Sequence, residues 1–163
     1  MDPYLAIVSK RDERDYANTP VGDEVRQRIL DAGRLTGSSK NRQPWEFVVV
    51  SGEARDRLAE AVYAPENVRT AALVVAVVGD ASGFDAGRCV QNMMLAAWGD
   101  GVVSCPNGVR DPDAAAEICR GDVRAIISFG YPARPRDVAA RSAEQWSARA
   151  NRKPLDELVR EVD

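Results

Sequence analysis

The eight residues Ala71 to Val78, AALVVAVV, constrain this chain more than any others. An unbroken apolar run has no solvent face, so a strand made from it must be covered on both sides, in the centre of a sheet. Gly79-Asp80 then ends it. Helices on either side are the natural cover. Asp2 and Pro3 predict a cap and first position for a helix from Pro3 to about Ser9. A second helix is predicted from Asp23 to Leu35, with Val25, Ile29, Ala32 and Gly33 on one face and Gly37 as its stop. Gly52 to Tyr63 reads as a third, with Leu58, Ala61 and Val62 inward, and Pro112 to Cys119 as a short one capped by Asp111. Glu46 to Val50, Val102 to Ser104 and Val123 to Phe129 are strand-like. Strands alternating with helices predict a layered fold, one sheet with helices on both faces.

Phe84 to Trp98 is the most apolar helix. Cys89, Val90, Met93, Met94, Leu95, Ala96, Ala97 and Trp98 wrap well beyond the ~100° stripe of a one-sided surface helix. It needs cover on more than one side, either from a second subunit or as a core helix sandwiched against the sheet. The stretch from about Asp137 to Asp163 is charged, helical in propensity and poor in apolar residues.

Composition removes several chemistries. The 163 residues contain no histidine, which takes away the usual general base, the usual zinc ligand and the Ser/His/Asp arrangement together. Chemistry in such a chain is borrowed from a cofactor. Three cysteines, Cys89, Cys105 and Cys119, form no CxxC pair and no even set, and read as small buried hydrophobes rather than a disulfide frame or metal site. A net charge of −3 with Lys and Arg spread along the chain offers no footprint for nucleic acid. No apolar run approaches the roughly 20 residues that span a bilayer, and the N-terminus has no leader pattern, so the expected location is the cytoplasm.

Residues 34 to 50, RLTGSSKNRQPWEFVVV, carry the most chemical information. The amides and hydroxyls of Ser38, Ser39, Asn41 and Gln43 suit the polar edge of a bound heteroaromatic ring, although a helix-to-strand loop with ordinary turn residues has the same composition. Upstream stand Lys10, Arg11 and Arg14, then Tyr16 and Pro20-Val21. Together, SKRDERDYANTPV and SSKNRQPWEFVVV resemble the two N-terminal motifs of the nitroreductase-like family of FMN-dependent oxidoreductases. GFDAGRCVQNMMLAAWGDGVVSCPNGV is similar to the family's central helix and following turn, IISFGYPARPR to its last core strand, and RKPLDELV to its C-terminal arm. The five segments occur in the family's order and are spread over most of the chain.

The resemblance implies an α+β fold layered α/β/α, a central mixed sheet flanked by helices, as an intertwined homodimer with FMN at the interface. It implies one domain over residues 1–163, with 137–163 an arm wrapping the partner. The activity implied is ping-pong hydride transfer from NADH or NADPH through FMN to a small electron acceptor. A flavin-binding protein that is not a reductase, or a dimeric scaffold without FMN, are the alternatives.

FMN needs cations for its phosphate, amides for its pyrimidine edge and a backbone N–H for the ring nitrogen that takes up hydride. Arg11 and Arg14, three apart, are candidates for the phosphate, with forked donors that suit its oxygens. On the family's pattern Lys10 lies on the pyrimidine side, where a cation stabilises the charge that reduction builds. Arg152 and Lys153 match the basic pair that closes over the phosphate. Ser38, Ser39 and Asn41 match residues reaching the partner's flavin. The turn Pro106-Asn107-Gly108 brings a backbone N–H to the ring, and Asn67 is a further amide donor. Asp12 departs from the pattern, standing where many members carry serine. A dry carboxylate facing a dianion costs several kcal/mol, so Asp12 must turn to Arg11 or Arg14, or FMN binding is weakened. Between Val78 and Asp85 the chain has only GDASGF, which predicts a shallow, open cleft.

Overall fold

The computed structural model describes residues 2–162, so the two extreme ends of the predicted 1–163 domain lie outside the described residues. The helices are α1 (Pro3–Ser9), α2 (Asp23–Arg34), α3 (Gly52–Glu60), α4 (Pro65–Arg69), α5 (Gly83–Gly99), α6 (Pro112–Cys119) and α7 (Ala143–Arg149). The strands are β1 (Glu46–Val50), β2 (Leu73–Val78), β3 (Val103–Asn107) and β4 (Val123–Gly130). Two compact units form. One spans Arg11–Arg136; the other takes the chain's beginning up to Lys10 and everything from Asp137 onward.

The larger unit is built on a four-stranded sheet of order β1-β2-β4-β3. Every residue of β2 is buried, as its apolar run demands. Alternate side chains serve two cores. Leu73, Val75 and Val77 join Ile127, Phe129 and Trp45 under Ile29 of α2 and Cys89, Met93 and Ala97 of α5. Val74, Ala76 and Val78 meet Ile126 and, from α3, α4 and α6, Leu58, Val68 and Ala115. Burying each such valine or leucine stabilises the fold by roughly 1.5–3 kcal/mol, which explains why a strand without polar residues lies between two neighbours. On α5 the buried set is Ala86, Cys89, Val90, Met93, Met94, Ala97 and Trp98. Of the two covers expected for this helix, the sandwich against the sheet and α2 accounts for that set within one chain.

The expected mixed sheet is antiparallel in every strand pair. Parallel pairing enters only as a single bridge from Asp12 to Ser104 on the open side of β3. An apolar run reports burial, not direction, so the pattern held no information on this point. Three boundaries also differ. α3 stops at Glu60, because Val62 leaves the helix to bridge Val109, and α4 follows where no helix was expected. α2 ends at Arg34 with Leu35 as its cap rather than being stopped by Gly37, and the glycine instead admits Arg88, whose Nη1 donates to the Gly37 carbonyl at 2.9 Å. β3 continues through Pro106 and Asn107, residues expected in a turn. An edge strand tolerates a proline whose missing N–H faces outward.

In the smaller unit, Asp2 caps α1 by accepting from Leu5 N–H at 2.9 Å, and α7 carries a capping box of Ser142 and Gln145. Trp146 is buried there, its indole N–H donating to Val138 O at 3.0 Å and Arg141 lying over its ring at 5.0 Å. This single tryptophan is what an otherwise charged segment has for a core.

Two glycines separate backbone need from accident. Gly79, ending β2, has φ +116°, and a Cβ there would meet the Pro44 carbonyl oxygen at 2.9 Å. Gly87, exposed on α5, has open space around it. Gly79→Ala is expected to lower unfolding free energy by about 2 kcal/mol or more, whereas Gly87→Ala is expected to raise it by about 0.5–1 kcal/mol. Urea denaturation of both variants checks this; equal effects would contradict it.

Candidate active site

The segment from Arg11 to Ala17 is laid along the open side of β3 and the end of β4. Glu13 N–H donates to Ser104 O at 3.1 Å, Ala17 N–H to Tyr131 O at 2.8 Å, and Ala133 N–H returns to Asp15 O at 3.0 Å. The Tyr16 ring lies where a Cβ on Gly130 would sit, at 2.8 Å, and its hydroxyl donates to Ser128 O at 3.4 Å. Burial pushes the Tyr16 phenol well above its ordinary range, so it remains a donor at any working pH.

This course brings Arg14 to β3. Its Nε donates to the Cys105 thiol at 3.2 Å; that contact, with a smaller contribution from Asp12, holds the guanidinium above its already high value. No hydrogen bond to either Nη of Arg14 is present among the described residues, so its terminal fork stands available for an anion. Glu13 is answered by Arg136, Oε1 to Nε at 2.9 Å. The acidic pair is therefore divided: one carboxylate is spent on Arg136, and the other adds its charge beside Arg14.

Past Cys105, Pro106 is exposed, Asn107 buried and Gly108 exposed. The Asn107 side chain turns inward. Its Nδ2 donates to Ser128 Oγ at 2.8 Å, Cys105 O at 3.2 Å and Ile126 O at 3.4 Å, and its buried Oδ1 has no partner among the described residues. Asn107 thus offers a ligand its strand position rather than its amide. Gly108 gives its carbonyl to Tyr63 N–H at 3.0 Å, and no turn or loop hydrogen bond among the described residues takes its N–H. A Cβ on Gly108 would meet the exposed Tyr63 ring at 3.1 Å, so any larger residue would make that ring shift by a few tenths of an ångström.

Ser38, Ser39 and Asn41 lie on the connection from α2 to β1, and no hydrogen bond joins them to Arg14 among the described residues. Ser38 Oγ accepts from Gln43 N–H at 2.8 Å, a use of the hydroxyl that turn chemistry alone explains. Lys40, Asn41 and Gln43 all have positive φ, 54°, 53° and 50°. Each costs a non-glycine residue about 1 kcal/mol or more, and strain of this kind persists where surroundings impose it. They do: Arg88 holds the Gly37 carbonyl, and Asn92 Nδ2 donates to buried Thr36 Oγ1 at 2.9 Å. Sequence reasoning missed Thr36, Arg88 and Asn92. The one available signal was a polar Asn92 inside the most apolar helix.

Lys10, Arg152 and Lys153 belong to the other unit. Lys10 closes α1, its N–H on Ala6 O at 3.0 Å, and Arg152 and Lys153 are exposed beyond α7. The sequence-predicted residues thus fall into three places, the β3 edge with Arg11 and Arg14, the loop before β1, and the smaller unit.

The Nitroreductase family model matches residues 7–82, which include both N-terminal motifs. An archaeal protein of Methanothermobacter thermautotrophicus, provisionally named an NADH dehydrogenase/NAD(P)H nitroreductase, is 29% identical over 150 residues, covering 82% of this chain and 78% of that protein. A crystal structure from Desulfovibrio desulfuricans, provisionally named a nitroreductase and solved in complex with FMN, superposes with a TM-score of 0.80 at 28% identity over 100% of this chain and 98% of its own. The fold of this chain is nitroreductase-like. A nitrobenzene nitroreductase of Ectopseudomonas oleovorans is 40% identical, but over 55 residues, 34% of this chain and 24% of its own length.

The residues of the larger unit fit a flavin nucleotide on two observations: a guanidinium fork with no hydrogen bond among the described residues, and an exposed Gly108 just past β3 whose N–H no turn or loop hydrogen bond among those residues takes. The strained loop yields its own test. Gln43→Gly is expected to raise unfolding free energy by about 1 kcal/mol in chemical denaturation; a loss of that size would mean the Gln43 side chain, not its backbone, holds the loop.

Proposed function

We propose that this nitroreductase-like protein is an FMN-dependent NAD(P)H oxidoreductase that passes hydride equivalents to a small electron acceptor in ping-pong fashion. The observation carrying the proposal is the arrival of Arg14 on the strand whose end presents Gly108, since a phosphate grip and a ring-nitrogen donor must share one wall. When bound, FMN would supply the redox chemistry by accepting and returning a hydride equivalent, and a chain without histidine needs no nucleophile of its own.

The chain's residues then divide the work. Arg14 and Arg11 would meet the phosphate, with Arg152 and Lys153 as the second basic pair. Lys10 would stabilise negative charge at the pyrimidine edge. The Gly108 N–H would hydrogen-bond the ring nitrogen that gains hydride, and Pro106 leaves that side free of a competing donor. Ser38, Ser39 and Asn41 would act toward the flavin of a second subunit, as in a homodimer whose 137–163 arms wrap each other. Only Gly79 to Ser82 separate β2 from α5, so no inserted helix roofs this part of the molecule, and a small or surface-borne acceptor suits it best.

Purified protein given FMN is expected to retain it through gel filtration at the mass of a dimer, and anaerobic NADH or NADPH should bleach the flavin absorbance. A yellow protein that neither nucleotide bleaches would favour flavin binding without reductase activity; a colourless one that ignores added FMN would favour a scaffold. Arg14→Ala is expected to weaken FMN binding by about tenfold or more, the loss of one charge-assisted contact worth roughly 1.5–3 kcal/mol. Unchanged affinity would remove Arg14 from the site. Turnover across acceptors of graded size should favour small ones, and a steep preference for bulky acceptors would oppose the open cleft.

A further inference from the structure

Asn107 is a polar residue in a place where packing asks for an apolar one. It is 8% exposed, and its Cα partner across the sheet is the fully buried Ile126. An amide there is tolerated only with hydrogen bonds, and its two Nδ2 hydrogens face three acceptors. The three acceptors are informative. Cys105 O belongs to its own strand, two residues back; Ile126 O and Ser128 Oγ belong to β4. One side chain therefore ties the last residues of β3 to the adjoining strand just before Gly108.

The same amide is a node for the segment bearing Arg14. Arg14 Nε reaches the thiol of Cys105, whose carbonyl accepts from Asn107. Tyr16 hydroxyl donates to the carbonyl of Ser128, whose hydroxyl oxygen accepts from Asn107. Alternation along β3 sets the rest. Ser104 O is turned to the open side, where Glu13 meets it, and two-residue periodicity puts the backbone of Pro106 on that side too. The Asn107 amide is tied to β4, and Gly108 follows it directly, exposed and with its carbonyl on Tyr63 N–H.

We infer that Asn107 is a positioning residue: a buried latch that fixes the direction of the Gly108 N–H and ties it to the Arg14 segment, without touching the cofactor. This rests on the flavin reading above and extends it to a residue whose side chain turns away from any ligand.

The test compares wild type with Asn107→Leu and Ser128→Ala, the second keeping the amide but removing its shortest contact. In FMN-free protein, the Gly108 amide should exchange with solvent at least tenfold faster in Asn107→Leu, with a smaller increase in Ser128→Ala. In FMN-loaded protein, the flavin midpoint potential should move by about 30 mV or more, a tenfold change in the preference for reduced over oxidised flavin in a two-electron couple. A lowered melting temperature with unchanged exchange and potential would overturn the inference, as would faster exchange with an unmoved potential. If Asn107→Leu does not fold, Ser128→Ala decides by the same readings. Wild-type protein that takes up no FMN would defeat the underlying flavin reading, and is told apart because it fails before any substitution is made.

Discussion

A strand with no polar residue fixes the plan of this molecule. β2 must be dry on both faces, and the chain meets that requirement with α2 and α5 on one side and α3, α4 and α6 on the other. β4 shares the interior beside it, and β1 and β3 are left as the outer strands. β3 has an outward side that covering helices do not fill. The Arg11 to Ala17 segment lies there, and there the candidate site is assembled.

Chemistry at that edge follows from backbone geometry more than from any reactive side chain. Proline at 106 removes an N–H, glycine at 108 presents one, and the intervening Asn107 holds both in place from behind. Arg14 arrives by pairing its own segment to Ser104, not by a long reach. Glu13 is neutralised by Arg136, and the Asp12 charge stands beside Arg14, so the acidic departure from the family's usual pattern sits next to the cation that would hold a phosphate. A chain without histidine can be an oxidoreductase on these terms, because orientation and electrostatics are all that it must supply.

Much of the fold was legible because apolar periodicity and capping report local constraints. Asp2-Pro3, Asp111-Pro112 and the β2 run each state their structure within a few residues. The helix expected to reach Tyr63 ended at Glu60 because Val62 pairs with Val109, a partner 47 positions away that no local pattern announces. Strand direction was equally silent in an apolar run. At the candidate site, motif order pointed to residues on the β3 edge and the loop before β1, but not to their anchors. Thr36, Arg88 and Asn92 act through contacts between elements, and the inward turn of Asn107 depends on Ser128, which looks in the sequence like any strand serine. Ser38 showed the opposite limit, since its hydroxyl serves the loop's own turn.

The account stands or falls on whether the β3 edge receives the isoalloxazine and phosphate of one FMN. Titrating FMN into isotope-labelled protein and following the Gly108 amide and Arg14 Nε resonances tests this most directly. The two signals are expected to shift together, saturably, with one apparent affinity. FMN that binds while leaving both unmoved, or that moves only one of them, would contradict it.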